Sequence, residues 1–279
     1  MSCIAPAGAG STGHTTLRDT LEGLYRHYNR FEYIHPDPLE FVYLYENDLD
    51  REVAGFLASA LAYGRVGQIL CSVRSVLCAM DPSPSSFLFV NSPSQIAKTF
   101  RSFKHRFTTG VVLSSLLAGI RKLLRKHDSL EKCFLAGFDE KDQNIILALT
   151  EFVRKLEEAA GRKMPMFLPS PDGGSACKRL NLFLRWMVRR DNVDPGIWRK
   201  VPASHLIIPL DTHMHRIALR MGLTARKQAD MRCAMEVTEA FRSICPDDPV
   251  RYDFALTRLG MNNSPQSDKA LDCLCTSNP

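Results

Sequence analysis

Apolar residues recur along this chain at helical spacing wherever a clear pattern can be read. Val53, Phe56, Leu57, Ala60 and Leu61 fall at i, i+3, i+4, i+7 and i+8, and Gly64 follows as a natural terminator. A second stripe runs through Val66, Ile69, Leu70, Val73, Val76, Leu77 and Met80 and stops at Asp81-Pro82-Ser83-Pro84. Two more run from Leu113 to Leu124 and from Ile145 to Leu156, each apolar on one face only, as core-facing helices are. In the C-terminal half, Leu180, Phe183, Leu184, Met187 and Val188 form one stripe and Met214, Ile217, Ala218 and Met221 another. Asp248-Pro249 reads as an N-cap with proline at the first helical position, opening a helix that ends at Gly260. No alternating run is long enough for a convincing sheet. The pattern predicts an all-α fold of about ten helices in one or two closely packed lobes, spanning 17–261, with flexible tails at 1–16 and 262–279.

The strongest punctuation is 162–175, where Pro165, Pro169, Pro171, Gly173 and Gly174 separate two helices. Gly173-Gly174-Ser175 sits just before the second of them, where backbone N–H groups can form an anion nest. An ordinary flexible connector explains the same glycines.

Composition is that of an ordinary globular protein: 279 residues, 45% hydrophobic and 24% charged. The longest apolar stretches fall well short of the roughly 20 residues of a membrane-spanning helix, so a cytoplasmic protein without a membrane partner is expected. Nine cysteines, an odd number, suit reduced thiols; Cys71, Cys78 and Cys133 sit in apolar helical segments and are expected to be buried. The net charge of +6 is modest, but it is unevenly placed. Between Ser175 and Lys227 eleven Lys or Arg face three acids, a local excess of +8, and 98–126 holds eight Lys or Arg and no acid. Such clusters suit a polyanion such as DNA, although a solvated helix face is the commoner origin of a charge run.

The segment 209–223 carries the most chemistry. Asp211 is placed to N-cap a helix whose apolar stripe faces the core, and Gly222-Leu223 closes it in the Schellman manner. His213 and His215 are two apart and point to different faces, which argues against a shared metal.

Leu210-Asp211-Thr212-His213-Met214-His215-Arg216-Ile217, with Arg220, Gly222 and Leu223, resembles the Val-Asp-Thr-His-Val-x-Arg-Val...Arg-Leu-Gly-Leu stretch of helix-hairpin-helix DNA glycosylases. Gly173-Gly174 followed by Lys178-Arg179-Leu180-Asn181 looks like the hairpin turn and Lys-x-x-Asn helix start of that superfamily, with a hairpin near 165–190. Asp37-Pro38-Leu39-Glu40-Phe41 and 52–64 are similar, more weakly, to its N-terminal helices. The chain as a whole, 17–261, resembles a bacterial family of unknown function related to archaeal 8-oxoguanine DNA glycosylases, which share a long interval between the two motifs.

The resemblance implies Lys178 as a Schiff-base nucleophile and Asp211 as its electrostatic partner. It further implies base-excision repair of an oxidised purine, 8-oxoguanine-like, flipped out of double-stranded DNA, with associated abasic-site lyase activity. Gly173, Gly174, Ser175, Arg179 and Arg216 are the expected DNA contacts, and Phe167, Trp186 and Trp198 are candidates for the base pocket, against a plain core role for each. Cys233, Cys245, Cys273 and Cys275 lack the spacing of an iron–sulfur site, and no cofactor is expected. The protein is expected to act as a monomer. The rivals are a non-catalytic helix-hairpin-helix DNA-binding protein and a helical protein with no nucleic-acid partner.

Overall fold

The computed structural model describes residues 16–261. The expected tails at 1–16 and 262–279, and with them Cys273 and Cys275, lie outside the described residues except for Thr16, which caps the first helix through Asp19 N–H. The helices are α1 (Leu17–Tyr28), α2 (Asp48–Ala60), α3 (Val66–Cys78), α4 (Pro84–Val90), α5 (Pro93–Thr99), α6 (Gly110–His127), α7 (Leu130–Leu135), α8 (Ile146–Ala160), α9 (Lys178–Val188), α10 (Thr212–Arg220), α11 (Met231–Ile244) and α12 (Asp253–Met261). Short 3-10 turns include Pro38–Leu44 and Pro171–Gly173. The fold is all-α apart from one antiparallel hairpin, β1 (Lys104–His105) and β2 (Thr108–Thr109). Sequence patterning predicts no strand there, because two residues per strand are too few to show alternation.

The stripes read from the sequence are the buried faces. Leu113, Leu116, Leu117, Ile120, Leu123 and Leu124 of α6 pack against the buried face of α8. Helix α2 is buried along most of its length, between the Pro38–Leu44 turn and α9. Phe56, Phe134, Phe152, Phe183 and Trp198 form a chain of edge-on and tilted ring contacts at 5.1–6.0 Å through the centre of the molecule. Helices α10 and α1 both pack on α12.

Three expectations are corrected. The last helix starts at Asp253, not at Pro249. The carboxylate of Asp248, instead of capping a helix, receives Arg189 Nε at 2.9 and 3.0 Å. Cys71 and Cys78 are exposed, since the buried stripe of α3 is Ile69, Val73, Val76 and Leu77 and the two thiols fall off it; Cys133 is buried. Finally, two of the eleven cations in 175–227 are internal. Arg185 and Arg189 are buried on α9, where Arg185 pairs with Asp194 and Asp253 and Arg189 with Asp191, Asp194 and Asp248. This cluster fastens α9 to the 191–194 loop and to α12, which is what buried guanidinium groups with several carboxylate partners can do.

Candidate active site

The N-terminal ends of α9 and α10 converge on one cleft of about 570 Å³. Lys178 is the first residue of α9 and Asp211 is the N-cap of α10, and Lys178 Nζ stands 3.7 Å from Asp211 Oδ2. Both side chains are partly exposed, 33% and 21%, so a ligand in the cleft can reach them.

Asp211 is held by its capping role. Its Oδ1 accepts the backbone N–H groups of His213 at 2.9 Å and Met214 at 2.8 Å, leaving Oδ2 for the lysine. At the other end of α10 the Schellman closure is complete. Leu223 N–H donates to Ala218 O at 2.9 Å and Gly222 N–H to Leu219 O at 3.2 Å, with Gly222 at φ 71°.

Lys178 follows a strained residue. Cys177 has φ 47° and ψ 36°, a left-handed conformation that costs a non-glycine residue about 1–2 kcal/mol. Its N–H donates to Ser175 Oγ at 3.2 Å, its thiol to Pro169 O at 3.4 Å, and Asn181 Nδ2 fastens Ala176 O at 2.9 Å. Burial pushes the Cys177 thiol up to about 11, which keeps it protonated at neutral pH and unsuited to act as the nucleophile.

The other predicted residues divide. Arg179 lines the cleft, but its guanidinium donates to Ala60 O at 2.8 Å and Met166 O at 2.9 Å and lies 4.9 Å from the Tyr63 ring. Ser175 also lines the cleft. Gly173 and Gly174 are exposed, but their N–H groups donate to Ser170 O and Pro171 O within the 3-10 turn, so these two donors are already engaged. Arg216 is exposed on α10, beside His213 at 3.4 Å. His213 lines the cleft while His215 turns away to Arg226 O at 2.8 Å.

Helices α8 and α9 are joined by 161–177, a long connection whose Met164, Phe167 and Leu168 are buried, in place of a short turn. Phe167, Trp186 and Trp198 do not line the cleft. All three are core residues, and Trp198 Nε1 is used by the buried Glu52 at 2.7 Å. The large apolar side chains that do line it are different ones, among them Tyr63 and Phe254.

Sequence reasoning also missed the carboxylates of the cleft floor. Asp37 N-caps the Pro38–Leu44 turn through Leu39 N–H at 3.0 Å and holds Arg258 at 3.0 Å. Asp253 is buried and held by Arg185 at 2.5 Å; burial pushes its carboxyl above the usual carboxylate range, against the pull of Arg185. Asp37 entered the sequence reading only through the resemblance of 37–41 to N-terminal helices, and nothing local marks Asp253.

Among the described residues no group of three or more His, Cys, Asp or Glu is arranged to hold a metal ion, and no helix is long and apolar enough to cross a membrane. No curated protein and no solved structure matches the chain. One family does, over 37–262, a span that contains both converging helix starts and every cleft residue named above. The chain thus belongs to DUF2400, a family of proteins of unknown function.

Proposed function

We propose that this protein is a DNA glycosylase with associated lyase activity, acting on an oxidised purine of the 8-oxoguanine kind in duplex DNA. The observation that carries the reading is the 3.7 Å pair of Lys178 and Asp211 at the meeting of two helix N-termini in an open cleft. An amine and a fixed carboxylate at that separation can flank a single sugar. The positive ends of two helices suit the phosphates on either side of it.

The chemistry follows from the pair. The Lys178 amine attacks C1′ of a nucleotide turned out of the duplex, the electrons of the glycosidic bond leave with the base, and the proton shed by the attacking nitrogen goes to that base. Asp211 balances the positive charge that develops on the sugar. The C1′–O4′ bond then breaks with a proton passing to O4′, giving an iminium between Nζ and C1′; loss of a C2′ proton expels the 3′ phosphate, and water adds at C1′ to release the lysine. Because Asp211 Oδ1 is committed to two backbone donors, the carboxylate cannot swing away as charge develops, which is the preorganisation such a step requires.

A protein that binds DNA without turnover would make equal use of the exposed cations. Lys98, Arg101, Lys104 and Arg106 are all exposed, and no ion pair engages them among the described residues. That reading leaves the Lys178–Asp211 pair without a purpose, which is why the catalytic one is preferred. Single-turnover release of base from a panel of lesion-bearing duplexes tests it. The expected result is release from the 8-oxoguanine duplex, lost in Lys178→Ala; release from no duplex in the panel would overturn it.

A further inference from the structure

The β1–β2 hairpin packs on Tyr63 and Gly64, two residues that line the cleft, and the Lys178–Asp211 chemistry leaves it without a task. Its base is firmly fastened. His105 is buried, with Nδ1 2.8 Å from Ser72 Oγ and Nε2 3.1 Å from Tyr63 O, and the Tyr63 hydroxyl donates to His105 O at 2.9 Å and to Thr108 Oγ1 at 2.6 Å. Its tip, Arg106-Phe107, is exposed. Arg106 adopts φ 51°, a conformation disfavoured for a long side chain, and the two-residue turn this permits projects Phe107 outward.

Phe107 is 48% exposed yet ordered by a stacked contact. Its ring lies on that of Tyr63, with centroids 4.6 Å apart and planes 16° from parallel. Tyr63 lines the cleft, as does Gly64, and a Cβ on Gly64 would come within 2.9 Å of Arg106 Cδ. The hairpin tip thus meets the rim through the Arg106 side chain, which lies against Gly64. Arg65, next in sequence to Gly64, and Arg101, Lys104 and Arg106, in or just before the hairpin, are all exposed.

A rigid aromatic face among unpaired cations is the combination that holds nucleic-acid bases, where each stacked base contributes about 1–3 kcal/mol and the phosphates answer the cations. Apolar side chains that enter a base step do so from such projecting positions. The geometry points to Phe107 as a stacking residue that enters the DNA base stack beside the cleft and occupies the gap left when a nucleotide turns out toward Lys178. This rests on the DNA reading proposed above, but it requires no chemistry at Lys178.

The test uses the full chain and a duplex carrying a tetrahydrofuran abasic analogue flanked by 2-aminopurine, whose emission rises when its own base stack is opened. Wild type is expected to bind and to raise the emission several-fold. Phe107→Ala should bind about 5- to 150-fold more weakly, without the rise. Phe107→Trp should restore affinity, and its indole emission should be quenched on binding. The quenching is a readout that stands even if Phe107→Ala lowers Tm, because Trp keeps the stack on Tyr63. Equal affinity and an equal rise in Phe107→Ala, or an indole whose emission DNA leaves unchanged, would overturn the stacking role while leaving the Lys178 chemistry standing. If wild type binds no duplex with a salt-dependent affinity, the stacking role and the DNA reading fall together.

Discussion

Asp211 does two jobs with its two oxygens, and substitution can separate them. Asp211→Asn keeps an oxygen for the His213 and Met214 N–H groups, so α10 should form and Tm should hold. The variant loses the charge facing Lys178, and loss of a comparable electrostatic group costs about 10²–10³ in rate. Single-turnover base release alongside thermal melting checks both halves; a large fall in Tm would show that the charge matters to the fold itself. Much of this was legible in the sequence. Asp211 as N-cap, Gly222-Leu223 as Schellman closure and the divergence of His213 and His215 are all local consequences of residue type and spacing, and all are observed. The pocket-lining aromatics were not legible. Tyr63 reaches the cleft through the path of the chain after α2, and Trp186 and Trp198 are core residues, which proximity in sequence to Lys178 does not reveal.

At the scale of elements, the junction of the hairpin with α6 is closely packed. A Cβ added to Gly110 would lie 1.9 Å from Phe100 O, an overlap with backbone that no rotamer change relieves. Gly110→Ala should therefore destabilise the protein by at least the about 1–3 kcal/mol typical of overpacking, and it should shift the hairpin. Denaturant unfolding measures the first, and protease sensitivity at 101–109 the second; a variant as stable as wild type would contradict the close approach. Helices were legible because their buried stripes repeat over many residues. The hairpin was not, and neither was the true start of α12. Its anticipated cap, Asp248, is claimed by Arg189 from far away in sequence, and a long-range ion pair leaves no trace in local spacing.

At the scale of the molecule, two buried arrangements bear on how charge and pH act. Glu52 of α2 is buried and accepts Leu130 N–H at 2.7 Å, Glu131 N–H at 3.0 Å and Trp198 Nε1–H at 2.7 Å, tying the N-terminus of α7 and the 198 loop to the centre. Burial nonetheless pushes its carboxyl up to about 7. The folded state then holds a proton that the unfolded chain has lost above its ordinary 4.5, so the contribution of Glu52 is fully present below about pH 4.5 and falls as pH rises to about 7, by about 3 kcal/mol. Urea unfolding at pH 5 and pH 8 should show this fall in wild type, and Glu52→Gln should lack it; identical pH dependence in the two would exclude Glu52 as its source.

Arg185 and Arg189 are turned to internal carboxylates and are not available to DNA. What remains for DNA includes the cations of α5 and the hairpin. Replacing Lys104 and Arg106 together by Ala should flatten the dependence of log K on log salt by about 2 without changing sequence preference. An unchanged slope would place the DNA elsewhere.

The claim on which the rest depends is that Lys178 forms a covalent bond to the sugar. Borohydride trapping on duplex DNA containing 8-oxoguanine measures it directly, because reduction of an imine between Nζ and C1′ fixes the protein to the sugar, whereas direct attack by water leaves no bond between them to fix. Wild type should be trapped, Lys178→Ala should not, and the peptide recovered from the trapped complex should carry the sugar adduct on Lys178. Trapping that persists in Lys178→Ala, or wild type that binds the lesion duplex with a steep salt dependence yet is never trapped, would contradict the account.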